Sequence, residues 1–121
     1  MIMAVATGKF IKVCNEIKAV ATDLVAVDAA DGIKFDCKNY PNERVMFLVK
    51  NTEASNAKDV TVVKPSNGGY AAADADIVLT DLAAGAEAVI WVETAKYANN
   101  DGSIVLKGES ASVKAVAVVL G

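Results

Sequence analysis

Residues 44–50 read Arg-Val-Met-Phe-Leu-Val-Lys, and this stretch decides the fold because it is apolar on both faces of an extended chain. Side chains alternate between the two faces of a strand. One face therefore carries Val45, Phe47 and Val49, and the other carries Met46 and Leu48. Solvated antiparallel strands usually alternate apolar and polar residues. The pattern indicates a strand that is centrally buried, covered by loops or part of an interface.

Two further stretches, 87–93 and 112–120, are also apolar on both faces. Large exposed apolar patches are rare on soluble monomers. We therefore expect these faces to be covered by the chain's own loops, by another copy or by a larger scaffold. Trp91 fits either a core position or an interface anchor, because Trp is enriched at binding hot spots. The interface candidates are Met46, Leu48, Val89 and Trp91.

The rest of the chain favours an all-β fold. Short runs rich in Val, Ile and Thr, bounded by Gly, Asn, Asp or Pro, predict further strands, at 10–14, 59–64, 76–80 and 103–107. Asn-Asn-Asp-Gly at 99–102 predicts a tight hairpin turn. We expect a small antiparallel β-sandwich or jelly-roll-like barrel with at most one short helix. Residues 15–30 fit a helix and a strand equally well.

Length and charge narrow the class of protein. A chain of 121 residues predicts a single domain spanning 1–121, in which 1–9 can form a flexible N-terminal arm. The net charge is −3 and Arg44 is the sole arginine, so the basic stripe that nucleic-acid binding requires is missing. No apolar run is long enough for a membrane span, and the first residues do not resemble a signal peptide. We expect synthesis in a cytoplasm.

The sequence offers little for catalysis, and we expect no enzyme and no cofactor. It contains no histidine, which removes the commonest general base and metal ligand. Acidic residues at 28–36 lack the spacing of a calcium loop and are explained by a turn. Asp74, Asp76 and Asp81 are explained as solvated loop charges, so no metal is predicted. Cys14 and Cys37 are expected to be reduced thiols, with a disulfide as the alternative.

An ordered set of short features resembles a family of small virion proteins of tailed phages, of the head-decoration or minor structural type. The features are Ala-Ala-Asp-Gly-Ile-Lys-Phe at 29–35, the strand and Asn at 44–51, Val-Thr-Val at 60–62, Leu-Ala-Ala-Gly-Ala-Glu at 82–87, residues 97–102 and the closing Val/Ala strand. They cover about residues 29–120. The family usually has Pro-Ala-Gly where this chain has Ala-Ala-Gly at 83–85.

This resemblance implies a β-sandwich or barrel, often a trimer, that binds the outer surface of a capsid. The expected function is a virion structural protein, made in a bacterial cytoplasm, that decorates and stabilises the capsid through the major capsid protein. One alternative is a tail or fibre component of the particle. Another is an extracellular Ig-like module for adhesion or carbohydrate binding.

Overall fold

The computed structural model describes residues 6–8, 10–13, 25–26, 32–38, 40, 44–66, 75–110 and 112–120. Within them the chain forms ten strands and one short helix. The strands are β1 (Ala6–Thr7), β2 (Phe10–Val13), β3 (Val25–Ala26), β4 (Ile33–Asp36), β5 (Val45–Asn51), β6 (Lys58–Val63), β7 (Ile77–Leu82), β8 (Glu87–Trp91), β9 (Ser103–Gly108) and β10 (Val113–Leu120). The helix α1 (Thr94–Tyr97) lies between β8 and β9.

The strands form two sheets that pack face to face, which confirms the predicted small all-β sandwich. Sheet I has the order β1-β4-β9-β6-β7, and sheet II has the order β2-β10-β5-β8, with β3 also paired to β10. Most pairs are antiparallel, while β1 with β4 and β2 with β10 run parallel. The strands predicted from apolar runs all form, with ends shifted by two residues or fewer.

The core lies between the sheets and is built from alternate residues of each strand. Sheet II contributes Val45, Phe47 and Val49 of β5, and sheet I contributes Ile33 and Phe35 of β4. The Phe35 ring lies 4.9 Å from that of Phe47 and 5.8 Å from that of Phe10, measured between centroids. Aromatic contacts of this kind add to the stabilisation from burial. The phenylalanine rings add apolar volume to a core that is otherwise dominated by Val and Ala.

Most connections cross from one sheet to the other. The 99–102 turn is an example: Gly102 has φ +86° and donates its N–H to the Asn99 carbonyl at 2.8 Å. The turn chemistry is as expected, but β8 belongs to sheet II and β9 to sheet I. The tight turn forms, but it follows α1 and does not join β8 to β9 in a hairpin.

The N-terminal region lies only partly within the described residues. Of the expected arm 1–9, Ala6 and Thr7 pair with β4, and Gly8 donates its N–H to the Lys34 carbonyl at 2.8 Å. Residues 1–5 and 9 lie outside the described part. Of the ambiguous 15–30 segment, only Val25–Ala26 is described, as β3. The short helix of the described chain lies at Thr94–Tyr97.

Candidate docking face

The four interface candidates meet on the outer face of sheet II. Strands β5 and β8 are neighbours, and their register places Met46 opposite Trp91 and Leu48 opposite Val89. Their inward neighbours Phe47 and Ile90 pack in or against the core. Because side chains alternate along a strand, the four candidates share the side that faces away from sheet I. We call Met46, Leu48, Val89 and Trp91 the docking face.

The outer face of sheet II is arranged in rows across the strands. One row is charged, with Glu87, Lys50 and Lys114 side by side. The next two rows are apolar: Val89, Leu48 and Val116, followed by Trp91, Met46, Val118 and Ile11. Lys50 Nζ lies 4.0 Å from Glu87 Oε1 at the charged end. The face is thus an apolar surface bounded on one side by charges.

Exposure rises across this face from β10 towards β8. Val116 is fully buried and Ile11 nearly so, although both point outward. Met46 and Leu48 are half-buried. Val89 is 61% exposed and Trp91 50% exposed, so Trp91 does not occupy the core position that was one of its two interpretations. The apolar surface open to solvent is concentrated on β8 and the adjoining part of β5.

A buried asparagine fixes the end of β5 and the start of β8. The Asn51 side chain donates to the carbonyls of Asn56 and Leu82, both at 2.9 Å, and accepts from the Glu53 N–H at 2.9 Å. Its backbone N–H donates to the Ala86 carbonyl, and its carbonyl accepts from the Gly85 N–H. Asn51 therefore links β5, the end of β7 and the turn that leads into β8.

The turn itself explains the Ala-Ala-Gly sequence at 83–85. Gly85 has φ +74°, a left-handed conformation that favours glycine. The Ala86 N–H donates to the Ala83 carbonyl at 2.9 Å and closes the turn. The predicted tight connection is confirmed, and it positions β8 beside β5.

The carboxylates make local contacts in the described residues. Asp36 accepts from the Lys38 backbone N–H, Asp76 accepts from the Lys64 N–H at 2.7 Å, and the Asp81 N–H donates to Asp59 at 2.9 Å. No group of three or more His, Cys, Asp or Glu side chains is placed to hold a metal ion in the described part of the chain. Asp28, Asp31 and Asp74 lie outside the described residues.

Asp101 is the carboxylate whose environment is most specific. It accepts from the Ser103 hydroxyl at 2.6 Å, from the Ser103 N–H at 3.0 Å and from Lys34 Nζ at 3.0 Å. The hydrogen bonds from Ser103, followed by that from Lys34, hold the pKa of Asp101 well below its usual range. These contacts tie the 99–102 turn to β4, so the role visible here is structural.

Cys37 is a free thiol buried at the end of β4. Burial, reinforced by the negative charge of Asp36, raises the pKa of the Cys37 thiol to about 12. Because the thiolate is the reactive form, this thiol is chemically inert near neutral pH. Cys14 lies outside the described residues. Because Cys37 is a free thiol, the structure does not support the alternative of a Cys14–Cys37 disulfide.

Among the described residues, no helix has the length and apolar character needed to cross a membrane.

Comparisons with known proteins identify no relative. No protein-family model matches the chain, and neither a curated protein nor a solved structure is similar to it.

Proposed function

We propose that the protein is a structural component of a tailed-phage virion that attaches to the assembled capsid through its docking face. The single observation that carries the proposal is this face, where Val89 and Trp91 leave large apolar side chains in solvent beside Met46 and Leu48. A surface of this kind on a small domain is typical of a protein-binding site. The resemblance to head-decoration proteins implies that the partner is the major capsid protein lattice.

The size of the face suits attachment to a repeating surface. Covering the exposed parts of Val89 and Trp91 removes about 200 Å² of apolar area from water, which is worth about 5 kcal/mol. This gain lies at the lower end of the cost of association, which is about 4–15 kcal/mol. A single contact through this face alone would be weak. On a lattice, however, linked copies raise one another's effective concentration, and modest contacts then give firm attachment.

Co-sedimentation with empty shells of the major capsid protein tests the proposal. We expect the wild-type protein to pellet with the shells and to saturate at a fixed number of copies per shell. Leu48→Lys places a charge in the centre of the docking face and should weaken attachment at least tenfold. Thr61→Lys is the matched control, because Thr61 is also half-buried and lies on the outward face of a central strand in sheet I.

Three results would contradict the proposal. The wild-type protein could fail to pellet with the shells, the two lysine variants could attach equally well, or the control could lose attachment instead. Circular dichroism of both variants guards against misfolding. A tail or fibre component would bind tail assemblies and leave shells unbound. An extracellular carbohydrate-binding module would bind a glycan array through the exposed Trp91 ring, and that result would replace the present proposal.

A further inference from the structure

The end strands of each sheet pair on one side only within the described residues: β1 and β7 in sheet I, and β2 and β8 in sheet II. The exposed large hydrophobic residues of the described chain lie on β7 and β8: Ile77, Val78, Val89 and Trp91. An open edge strand presents backbone donors and acceptors that another chain can pair with, and proteins usually protect such edges. The edges of β7 and β8 differ in how far they are protected.

The edge of β7 is protected by irregularity. The register between β6 and β7 shifts between Lys58 and Val60, which marks a bulge. Asp81 has φ +58°, and its N–H is occupied by the Asp59 carboxylate. Bulges and charges of this kind disrupt the straight run of backbone groups that strand addition requires.

The edge of β8 has no bulge or irregular backbone of this kind. Its five residues pair with β5 in unbroken register, from Lys50 opposite Glu87 to Met46 opposite Trp91. Val89 and Trp91, which are 61% and 50% exposed, lie here, and Glu87 is the only charged residue of the strand. A regular, apolar edge strand is the kind that pairs with another strand.

The hydrogen-bond pattern shows which backbone groups face outward. The Asn51 N–H donates to the Ala86 carbonyl at 3.0 Å, so this is a hydrogen-bonded pair. Hydrogen-bonded pairs recur every second residue in an antiparallel ladder, which makes Val49–Ala88 the next one. Val89 lies between such positions. Its N–H and carbonyl therefore point away from β5, towards the open edge.

We propose that two copies of this chain pair antiparallel through their β8 strands, about a two-fold axis at Val89. In this register each Val89 lies opposite the second copy's Val89, and the two exchange both backbone hydrogen bonds. Sheet II then continues across the axis from one copy into the other. The two docking faces lie side by side on one surface of this doubled sheet.

The charges and the space along β8 favour this register. Glu87 of each copy lies opposite the second copy's Trp91, so no two carboxylates on β8 face each other. Continuing outward, Gly85 lies opposite the second copy's Glu93. A side-chain carbon at Gly85 would meet no atom within 4 Å, so the surroundings of that glycine leave room for the incoming chain. A register centred on Ile90 would instead set Glu87 against Glu93 and repel.

This pairing is independent of capsid attachment and differs from the trimer that the family resemblance implies. An isologous strand pair closes after two copies. Size-exclusion chromatography with light scattering measures the molar mass of the protein in solution. Protein concentrations from about 1 to 200 µM cover the order of magnitude at which weak dimers form. We expect the mass to rise towards twice the chain's 12.5 kDa.

Two substitutions at Val89 test the edge pairing, and Leu48→Lys, away from the β8 edge, tests the docking face separately. Val89→Pro removes an N–H that points away from β5, so the β5–β8 ladder is kept while the pairing across the axis is lost. Val89→Lys places a charge on the edge. Both should raise the dimer dissociation constant more than tenfold. Val78→Lys is the matched control because Val78 is a similarly exposed valine, at 53%, on the protected edge strand β7, and it should leave the dimer intact.

The outcomes are distinguishable. A monomer throughout the concentration range, a trimer, or a dimer that survives both Val89 variants would overturn the pairing. If Val89→Pro does not fold, Val89→Lys alone decides. Leu48→Lys should weaken shell attachment at least tenfold but leave the dimer, so a failure of capsid docking does not count against the edge pairing.

Discussion

Replacing Asn51 by Ala should destabilise the domain more than any other single polar substitution among the described residues. Asn51 is fully buried, and its side chain makes three hydrogen bonds of 2.9 Å. Each is worth about 1 kcal/mol net, and a buried group left without a partner costs about 1–3 kcal/mol. The carbonyl of Leu82 is such a group. We expect the free energy of unfolding to fall by about 3–5 kcal/mol.

Urea unfolding followed by circular dichroism measures this loss, and thermal unfolding should show a midpoint about 10–20 °C lower. Asn56→Ala is the control, because the Asn56 side chain is exposed and only its backbone carbonyl binds Asn51. It should change stability by less than about 0.5 kcal/mol. A loss below about 1 kcal/mol for Asn51→Ala would refute the reasoning that this side chain holds β5, β7 and β8 together.

Asn51→Asp tests the direction in which the stability of the variant changes with pH. The carboxylate keeps an acceptor for the Glu53 N–H but cannot donate to the carbonyls of Asn56 and Leu82. At neutral pH the variant should therefore be at least as unstable as Asn51→Ala. Its stability relative to the wild type should recover as the pH falls, because a protonated carboxyl can donate one hydrogen bond. Unfolding curves at pH values on either side of the carboxyl's titration, near 4 for an ordinary Asp, measure the difference.

Three further predictions concern other parts of the fold. Gly8→Ala should lower the free energy of unfolding by about 1–3 kcal/mol, because the added carbon would clash with the buried Phe35 ring; an unchanged urea midpoint would contradict this. In a Cys14→Ser background, native Cys37 should not react with a thiol reagent at pH 8 but should react once unfolded. Because its pKa rises from 9.0 unfolded to about 12 folded, stability should decline as the pH increases through that window. The lowered pKa of Asp101 should contribute stability above its ordinary value of 3.8 that is lost on acidification, and Asp101→Asn should flatten this acid dependence in unfolding curves.

The sequence predicts strands well where the apolar run is long. The runs that become β5, β8 and β10 are recognisable because apolar residues follow one another without interruption at 45–49, 88–92 and 115–120. The strand β4 is missed as a separate element, although Ile33 and Phe35 point inward while Lys34 and Asp36 point outward. The two-residue strands β1 and β3 carry no signal of their own, since they form only because the neighbouring strand offers a partner.

The sequence does not predict the order of the strands in the two sheets. The turn at 99–102 has the chemistry of a hairpin turn, yet it follows α1, and the strands before and after it, β8 and β9, belong to different sheets. Turn residues specify the backbone angles of a few positions and do not specify which sheet receives the chain. Asn51 is a similar case, because an Asn after a strand indicates a strand end, and its burial among three backbone partners depends on segments distant in sequence.

The docking face could be predicted residue by residue but not as a surface. Met46 and Leu48 alternate with core residues, as do Val89 and Trp91, so the sequence indicates which side each pair occupies. That β5 and β8 are neighbours follows only from the fold. So does the contrast between Val116, which is buried on the same outer face, and Val89, which is exposed.

Oxidative footprinting of the free and shell-bound protein tests most directly whether the docking face is what the capsid covers. Trp91 and Met46 are both oxidisable and lie opposite each other on that face, while Tyr97 in α1 packs against the core and is the oxidisable reference. Attachment should reduce the oxidation of Trp91 and Met46 several-fold and leave that of Tyr97 unchanged. Protein that pellets with shells while Trp91 and Met46 are oxidised as fast as in solution would contradict the account.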